Sequence, residues 1–218
     1  MTSVSFLDTT YHPRWLESQG YDPNTIGTML SQLPTADRTA KWMRYRGNPV
    51  KQSKFFFVDP SSGDKVPVYP FTGFQYESIV REYRYIKDQP LIQGLQTLIE
   101  QRFGVKTNHV IGTVYYDHND TVGWHQDKVE PLQVGCPIFI FSFFASRPLT
   151  FRDLATEQPI GEISMDHGSL LVLGYETNRV CQHAILPLSQ PTGYRLSISF
   201  RAIQTTMTIQ DIRKKARL

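Results

Sequence analysis

The residues best suited to chemistry lie in the segment 123–128, which reads Gly-Trp-His-Gln-Asp-Lys. In an extended strand, residues two apart point to the same face, so His125 and Asp127 are predicted to project side by side. Two histidines and one carboxylate, with open positions on the opposite side, form a typical ligand set for redox-active non-haem iron. The pair therefore predicts two ligands of an iron site, and the third must come from elsewhere in the chain.

His183 is the best candidate for the third ligand, because it lies in a short, apolar, strand-like run at residues 180–187. A lone histidine in a globular chain is more often a hydrogen-bonded core or surface residue than a metal ligand. Four other histidines therefore stay open as alternatives: His12, His109, His118 and His167.

The segment 194–201 alternates apolar and polar side chains strictly, which predicts a half-buried strand. One face is apolar and consists of Leu196, Ile198 and Phe200. The other face is polar and consists of Arg195, Ser197, Ser199 and Arg201. A buried guanidinium without a partner is costly, so the polar face predicts a bound anion. Because a planar guanidinium can pair with both oxygens of a carboxylate, we expect a dicarboxylate cosubstrate.

In order and type, these residues resemble the AlkB family of iron(II)- and 2-oxoglutarate-dependent dioxygenases. The resemblance rests on the HxD pair, the distal histidine, the Arg-x5-Arg pair and two flanking runs at residues 114–125 and 166–173. The segment 67–73, Pro-Val-Tyr-Pro-Phe-Thr-Gly, is similar to the aromatic lid of the family's DNA-repair members. The similarity extends from about residue 66 to residue 202.

The resemblance implies a role for each residue that matches the family pattern. His125, Asp127 and His183 would bind Fe(II), with 2-oxoglutarate and dioxygen as cosubstrates. Arg195 and Tyr115 would hold the far carboxylate of 2-oxoglutarate, and Arg201 would lie near its metal-binding end. Thr113 and Ser197 stand where the family usually has asparagines, so shorter hydroxyls would make those contacts. The substrate contacts would come from Tyr69, Phe71 and Trp124.

The activity implied is oxidative demethylation of N-alkylated nucleobases in DNA or RNA. In that reaction 2-oxoglutarate becomes succinate and carbon dioxide, and a hydroxylated methyl group leaves the base nitrogen as formaldehyde. Val129 stands where repair members carry an acidic residue that faces the methylated base. Two alternatives therefore stay open, since fold resemblance alone does not determine function. One is an oxygenase of the same chemistry that acts on a protein side chain or small molecule, and the other is a non-catalytic nucleic-acid-binding relic.

The elements that must position these residues indicate an α+β chain that is mainly β. Short strands separated by turns are predicted at residues 53–58, 110–116, 137–144, 149–152, 160–164, 169–173, 181–186 and 194–203. Such spacing favours a double-stranded β-helix, or jelly roll. Helices are predicted from about 23 to 33 and from about 90 to 104, so that N-terminal helices would buttress the sheet. A hairpin from residues 53–58 into residues 66–69 would carry the aromatic lid.

Length and composition predict one catalytic domain, because 218 residues with 40% hydrophobic content can bury a single core. Residues 1–89 would form the support and substrate lid, residues 90–203 the helix and jelly-roll core, and residues 204–218 a basic tail.

Two cysteines are too few for a disulfide framework, which favours a reducing compartment, the cytoplasm or nucleus. With neither a signal-peptide pattern nor a membrane-spanning run, we expect a soluble monomer without a membrane partner.

The net charge of +3 permits a nucleic-acid partner without requiring one. Basic residues concentrate before the predicted lid, at Lys41, Arg44, Arg46, Lys51 and Lys54. A second group ends the chain, at Arg213, Lys214, Lys215 and Arg217. Such groups fit either phosphate contacts or an ordinary solvated surface.

Overall fold

The computed structural model of the 218-residue chain describes residues 7–35, 44–45, 48–49, 53–60, 64–69 and 83–216. The predicted lid residue Phe71 lies outside these ranges, and so do Lys41, Arg46 and Lys51 of the first basic group. The described strands form two main sheets that face each other, with helices on the outer face of the larger sheet.

The described helices are α1 (Trp15–Ser18), α2 (Pro23–Ser31), α3 (Pro90–Phe103), α4 (Tyr175–Val180) and α5 (Ile209–Ala216), with a 3-10 turn at Ile86–Asp88. The strands are β1 (Thr10–His12), β2 (Arg44–Tyr45), β3 (Asn48–Pro49), β4 (Ser53–Val58), β5 (Lys65–Pro67), β6 (Tyr83–Tyr85), β7 (His109–Tyr115), β8 (Val122–His125), β9 (Ile138–Phe144), β10 (Arg147–Asp153), β11 (Pro159–Met165), β12 (Ser169–Leu173), β13 (Cys181–Ile185), β14 (Arg195–Arg201) and β15 (Thr206–Thr208). The large sheet has the order β1-β12-β9-β14-β7-β4-β6, and the small sheet the order β11-β10-β13-β8. Among the described strands of these two sheets, only the β4–β6 pair is parallel.

The helices α2 and α3 begin and end at residues with clear capping roles. The Asp22 side chain accepts hydrogen bonds from the backbone N–H groups of Asn24 and Thr25, and Pro23 occupies the first turn. Gly104 ends α3 with a left-handed φ of 68°. Both helices contribute to an apolar core on the outer face of the large sheet, which includes Trp15, Leu16, Ile26, Leu30, Ile92, Leu95, Ile99, Phe139, Phe141, Phe143, Leu196, Ile198 and Phe200.

A second core fills the space between the two sheets. It includes Ile111, Tyr115, Ile138, Ile140, Leu171 and Leu173 from the large sheet and Leu149, Phe151, Ile163, Met165, Cys181 and Ile185 from the small one. Strand β14 separates the cores as its alternation predicts, because its apolar residues join the helix-side core and its polar residues face the small sheet. The inner face of β14 therefore lies toward the sheet that carries His125 and His183.

Strands β4 and β12 have the predicted bounds, and the other predicted strands shift by two residues or fewer at each end. The predicted hairpin is wrong: β5 pairs with β15, while β4 pairs with β7 and β6. Strand β4 is buried along most of its length, so it lies inside the large sheet rather than in a separate ribbon.

Residues 204–218 were predicted to be a basic tail, but β15 and α5 lie within this segment. Ile212 of α5 is fully buried in a small apolar cluster with Val58, Val66 and Val68. This burial anchors the segment to the rest of the fold. No helix of the described residues has the length and low polarity needed to cross a bilayer.

Candidate metal centre

The three predicted ligands converge where β8 and β13 pair in the small sheet. His125 lies directly opposite His183 in the antiparallel register, and their ring centroids are 4.3 Å apart. Asp127 follows β8, and its Oδ1 lies 3.9 Å from His125 Nε2. One ligand atom from each of the three residues lies within 4.8 Å of the other two. Two imidazole nitrogens and a carboxylate oxygen at this spacing can hold one metal ion.

Both histidines are held in the neutral form that binds metals. Burial lowers the pKa of His125, whose Nδ1 lies 2.8 Å from the Gly123 carbonyl oxygen. A donated hydrogen bond from Nδ1 leaves Nε2 as the ligand atom. Burial lowers the pKa of His183 to about 3, and the neighbouring His125 acts in the same direction. At neutral pH both imidazoles are therefore already neutral, and a metal can bind them without displacing a proton.

Asp127 is ionised because a buried arginine lies beside it. Burial by itself would raise the pKa of this carboxyl, but Arg201 and the two neighbouring histidines hold it below its usual range. Arg201 donates from Nη2 and Nε to Asp127 Oδ2, at 2.6 and 3.2 Å. The other oxygen, Oδ1, is the one nearest His125. Arg201, predicted to lie near the metal-binding end of the cosubstrate, binds Asp127, which is one of the predicted metal ligands.

The loop that carries Asp127 is fixed by α4. The Asn178 amide forms two hydrogen bonds of 3.1 Å with the backbone of Asp127, accepting from N–H and donating to the carbonyl. Gln126 donates to the carbonyl oxygens of Asn178 and Arg179. Sequence reasoning missed Asn178, which is 1% exposed and lies only five residues before His183. The available signal was a short polar residue beside a ligand strand, which is too common to identify a role.

Arg195 lies on the inner face of β14 with the geometry of an anion-binding residue. It is 2% exposed, and its Nε donates to Ser142 Oγ at 3.1 Å. Its guanidinium carbon lies 5.0 Å from the ring centre of Tyr115, the residue opposite it on β7. Arg195 Nη1 is buried with no hydrogen-bond partner among the described residues. An unsatisfied buried cationic donor is costly, so this nitrogen fits a carboxylate that enters the site.

The family assignment follows from comparison with known proteins. The model of the 2OG-Fe(II) oxygenase superfamily matches residues 57–201, which is more than half of the chain and includes every predicted ligand. The chain belongs to the 2OG-Fe(II) oxygenase superfamily.

The curated proteins to which this chain is similar include AlkB homologues. It is 28% identical over 123 residues to the α-ketoglutarate-dependent dioxygenase alkB homolog 3 of Rattus norvegicus, covering 52% of this chain and 41% of the relative. It is 28% identical over 124 residues to the DNA oxidative demethylase ALKBH2 of Bos taurus, covering 54% of this chain and 45% of the relative. The chain thus spans less than half the length of these two relatives. The AlkB resemblance predicted from the motifs is confirmed.

One solved structure is similar to this chain in fold. The structure of OsALKBH1 aligns with 90% of this chain and 100% of its own, with a TM-score of 0.53 and 16% sequence identity. At this identity the likeness concerns the fold alone. The two facing, mainly antiparallel sheets are consistent with the jelly-roll fold expected for the family.

Two of the aromatic residues predicted to contact substrate, Tyr69 and Trp124, lie where they have no ring face open to it. Tyr69 is 2% exposed, its hydroxyl accepts from the Lys128 N–H at 2.8 Å, and its ring centre lies 5.0 Å from the Arg201 guanidinium carbon. A ring this buried has no face open to a nucleobase, and it lies against the arginine that binds Asp127. Trp124 alternates with His125 and lies under the Arg152 guanidinium at 4.7 Å, on the outer face of the small sheet.

The four alternative histidines, His12, His109, His118 and His167, lie outside the candidate metal-binding group. His167, for example, accepts a hydrogen bond from the Phe144 N–H at 2.8 Å and contacts the Asn24 side chain.

Arg147, which sequence reasoning did not single out, is fully buried and lies 5.9 Å from the ring centre of Tyr115. It donates to three backbone carbonyl oxygens, those of Asp117, Asp120 and Leu186. Through these hydrogen bonds Arg147 connects three backbone positions close to Tyr115, the residue that Arg195 also contacts.

Proposed function

We propose that the protein is an Fe(II)- and 2-oxoglutarate-dependent dioxygenase that demethylates N-alkylated bases in DNA or RNA. One observation carries the proposal: the His125, Asp127 and His183 group and Arg195 lie on the inner faces of the two facing sheets, and Arg195 Nη1 is buried with no hydrogen-bond partner among the described residues. The names of two relatives, a dioxygenase dependent on α-ketoglutarate and a DNA oxidative demethylase, support the cosubstrate and the substrate class.

Each residue has a defined task in this proposal. His125, Asp127 and His183 would hold Fe(II), which when bound supplies the coupled reduction of dioxygen and oxidation of the 2-oxo acid. Arg201 keeps Asp127 ionised and oriented, through the two hydrogen bonds to Oδ2. Arg195 would bind the far carboxylate of 2-oxoglutarate. The protein's main contributions are therefore positioning and the exclusion of water from a largely buried site.

Ligand variants test the metal site directly. Asp127→Ala and His183→Ala should abolish Fe(II)-dependent succinate production from 2-oxoglutarate, because each removes one of three donors. The matched control is His12→Ala, which removes a partly buried histidine outside the metal-binding group and should leave turnover unchanged. Near-normal succinate production by either ligand variant would exclude this metal centre as the site of the reaction.

A second substrate class is favoured by specific residues. Val129 cannot supply the acidic contact to a methylated base, Tyr69 is buried, and Trp124 lies on the outer face of the small sheet. These placements favour an oxygenase of the same chemistry that acts on a protein side chain or small molecule. A panel of methylated oligonucleotides, peptides and metabolites, scored by substrate-stimulated succinate release, separates the two. Stimulation by peptides or metabolites alone would replace the nucleic acid in the proposal.

A further inference from the structure

The first turn of α4 is capped by residues that lie far away in the sequence. Asp8 accepts hydrogen bonds from the backbone N–H groups of Glu176 and Thr177, at 2.8 and 2.9 Å, and from the Thr177 hydroxyl at 2.8 Å. The next residue, Thr9, accepts from the Gly174 N–H at 2.9 Å. A helix leaves its first N–H groups without partners inside the helix, so these two residues supply the acceptors that α4 needs.

Asp8 fits closely against the residue before α4. A Cβ atom added at Gly174 would clash with Asp8 Oδ1 and would lie 2.5 Å from the Asp8 carbonyl oxygen, so glycine leaves the space that this cap occupies. Burial raises the pKa of the Asp8 carboxyl, but the hydrogen bonds from Glu176 and Thr177 outweigh it and hold the pKa below its usual range. Asp8 therefore binds α4 as a carboxylate. Its position is set by β1, which begins two residues later and pairs with β12.

The other end of α4 contacts both segments that carry the candidate metal ligands. The helix runs directly into β13, which carries His183. Asn178 of α4 accepts from the Asp127 N–H and donates to the Asp127 carbonyl oxygen, each at 3.1 Å. Gln126 donates to the carbonyl oxygens of Asn178 and Arg179. A shift of α4 would therefore move the surroundings of two of the three candidate ligands.

The first turn of α4 connects the cap to the loop that carries Asp127. The Asn178 N–H donates to the Gly174 carbonyl oxygen at 2.9 Å, across the turn whose N–H groups Asp8 binds. Six residues are too few to form a stable helix without tertiary contacts, so a cap at the start contributes directly to holding this turn.

We propose that Asp8 is a positioning residue for the metal centre: by capping α4 it holds Asn178 in place, and through Asn178 it holds Asp127. The inference rests on the proposed function, because that function requires the metal centre. It assigns a task in metal binding to a residue 119 positions before Asp127 in the sequence, one that touches none of the three candidate ligands.

Mn(II) binding to the full chain, measured by calorimetry, tests the assignment without turnover. Asp8→Ala should raise the Kd of Mn(II) about three- to tenfold, less than removal of the Asn178 amide, because Asp8 acts one contact further from the metal. Asp8→Asn keeps an acceptor oxygen at the cap and should restore most of the affinity. The matched control is Asp22→Ala, because Asp22 also accepts from two backbone N–H groups and a threonine hydroxyl, at the start of α2. Helix α2 packs on the outer face of the large sheet, so this Kd should change by less than about twofold.

Hydrogen exchange in the metal-free protein separates positioning from a general loss of stability. The Asp127 N–H is held by Asn178 Oδ1, so in Asp8→Ala it should exchange about three- to tenfold faster than in the wild type. In Asp22→Ala its rate should match the wild type. If Asp8 acts through Asn178, adding Asp8→Ala to Asn178→Ala should raise the Kd of Mn(II) by less than about twofold more.

The outcomes are distinct. An unchanged Kd in Asp8→Ala would overturn the assignment, and so would an unchanged exchange rate at Asp127 or additive losses in the double variant. If Asp8→Ala does not fold, as judged by circular dichroism, Gly174→Ala displaces the same cap and carries the same expectations. Wild-type protein that binds no Mn(II) would refute the metal centre and the proposed function with it, and exchange at Asp127 would then still decide whether Asp8 holds the loop.

Discussion

Replacing Arg201 with methionine should destabilise the metal-free protein strongly. Arg201 Nη2 lies 2.6 Å from Asp127 Oδ2, and the two side chains are only 7% and 10% exposed. Removing one partner of a buried ion pair leaves an uncompensated charge and costs about 3 to 5 kcal/mol. For a chain of this size each kcal/mol lowers the melting temperature by about 2 to 4 °C, so we expect a fall of at least about 6 °C.

The assay is urea unfolding in the presence of a chelator, with a double-mutant cycle of Arg201→Met and Asp127→Asn. The coupling free energy between the two sites should exceed about 1.5 kcal/mol. Either single variant already removes the ion pair, so the second substitution should add little further loss of stability. The matched control is Arg179→Met, which breaks an ion pair of 2.8 Å with Glu176 between side chains that are 57% and 51% exposed. That loss should stay below about 1 kcal/mol. Equal losses for the two arginine variants, or a coupling near zero, would refute the argument from burial.

Three further predictions concern residues around the site and in the sheet. Asn178→Ala removes two hydrogen bonds from the backbone of the metal-ligand loop, so Mn(II) affinity, measured by titration, should fall about 10- to 100-fold; unchanged affinity would show that the loop holds without this amide. Burial keeps the pKa of His109 well below 6.5, so below about pH 6.5 the unfolded chain binds a proton that the folded chain does not. The free energy of unfolding should therefore fall as pH drops from 7 to 5, by at most about 1.4 kcal/mol per pH unit for this group. In urea unfolding, His109→Gln should make this dependence on pH weaker. The same dependence on pH in the variant and the wild type would contradict the prediction. In Gly112→Ala the new Cβ would lie 2.0 Å from the Phe55 ring, so the ring must move. The free energy of unfolding, measured by thermal unfolding, should fall by about 1 to 3 kcal/mol. In the control, Gly94→Ala, the new Cβ meets nothing within 4 Å, so this variant should be as stable as the wild type or more stable.

Prediction from the sequence worked best where the signal is local. The alternation in β14 separates an apolar from a polar face because side chains in a strand point to opposite sides in turn. Pro90 and Gly104 delimit α3 because one residue suits a first helical turn and the other a left-handed end. The spacing of His125 and Asp127 predicts two neighbouring donors for the same local reason. These features need no knowledge of distant segments.

The tertiary structure decided everything that depends on contacts between distant residues. Asn178 and Asp127 are 51 positions apart, and Arg201 and Asp127 are 74 apart, so no local pattern marks either contact. The same holds for β5, which pairs with β15 near the other end of the chain instead of with its neighbour β4. Spacing alone left five histidines as possible third ligands, and only the register of β8 and β13 brings His183 opposite His125. A strand's period determines which face a side chain occupies, whereas its partner is determined by which strands pair, and that is a property of the whole fold.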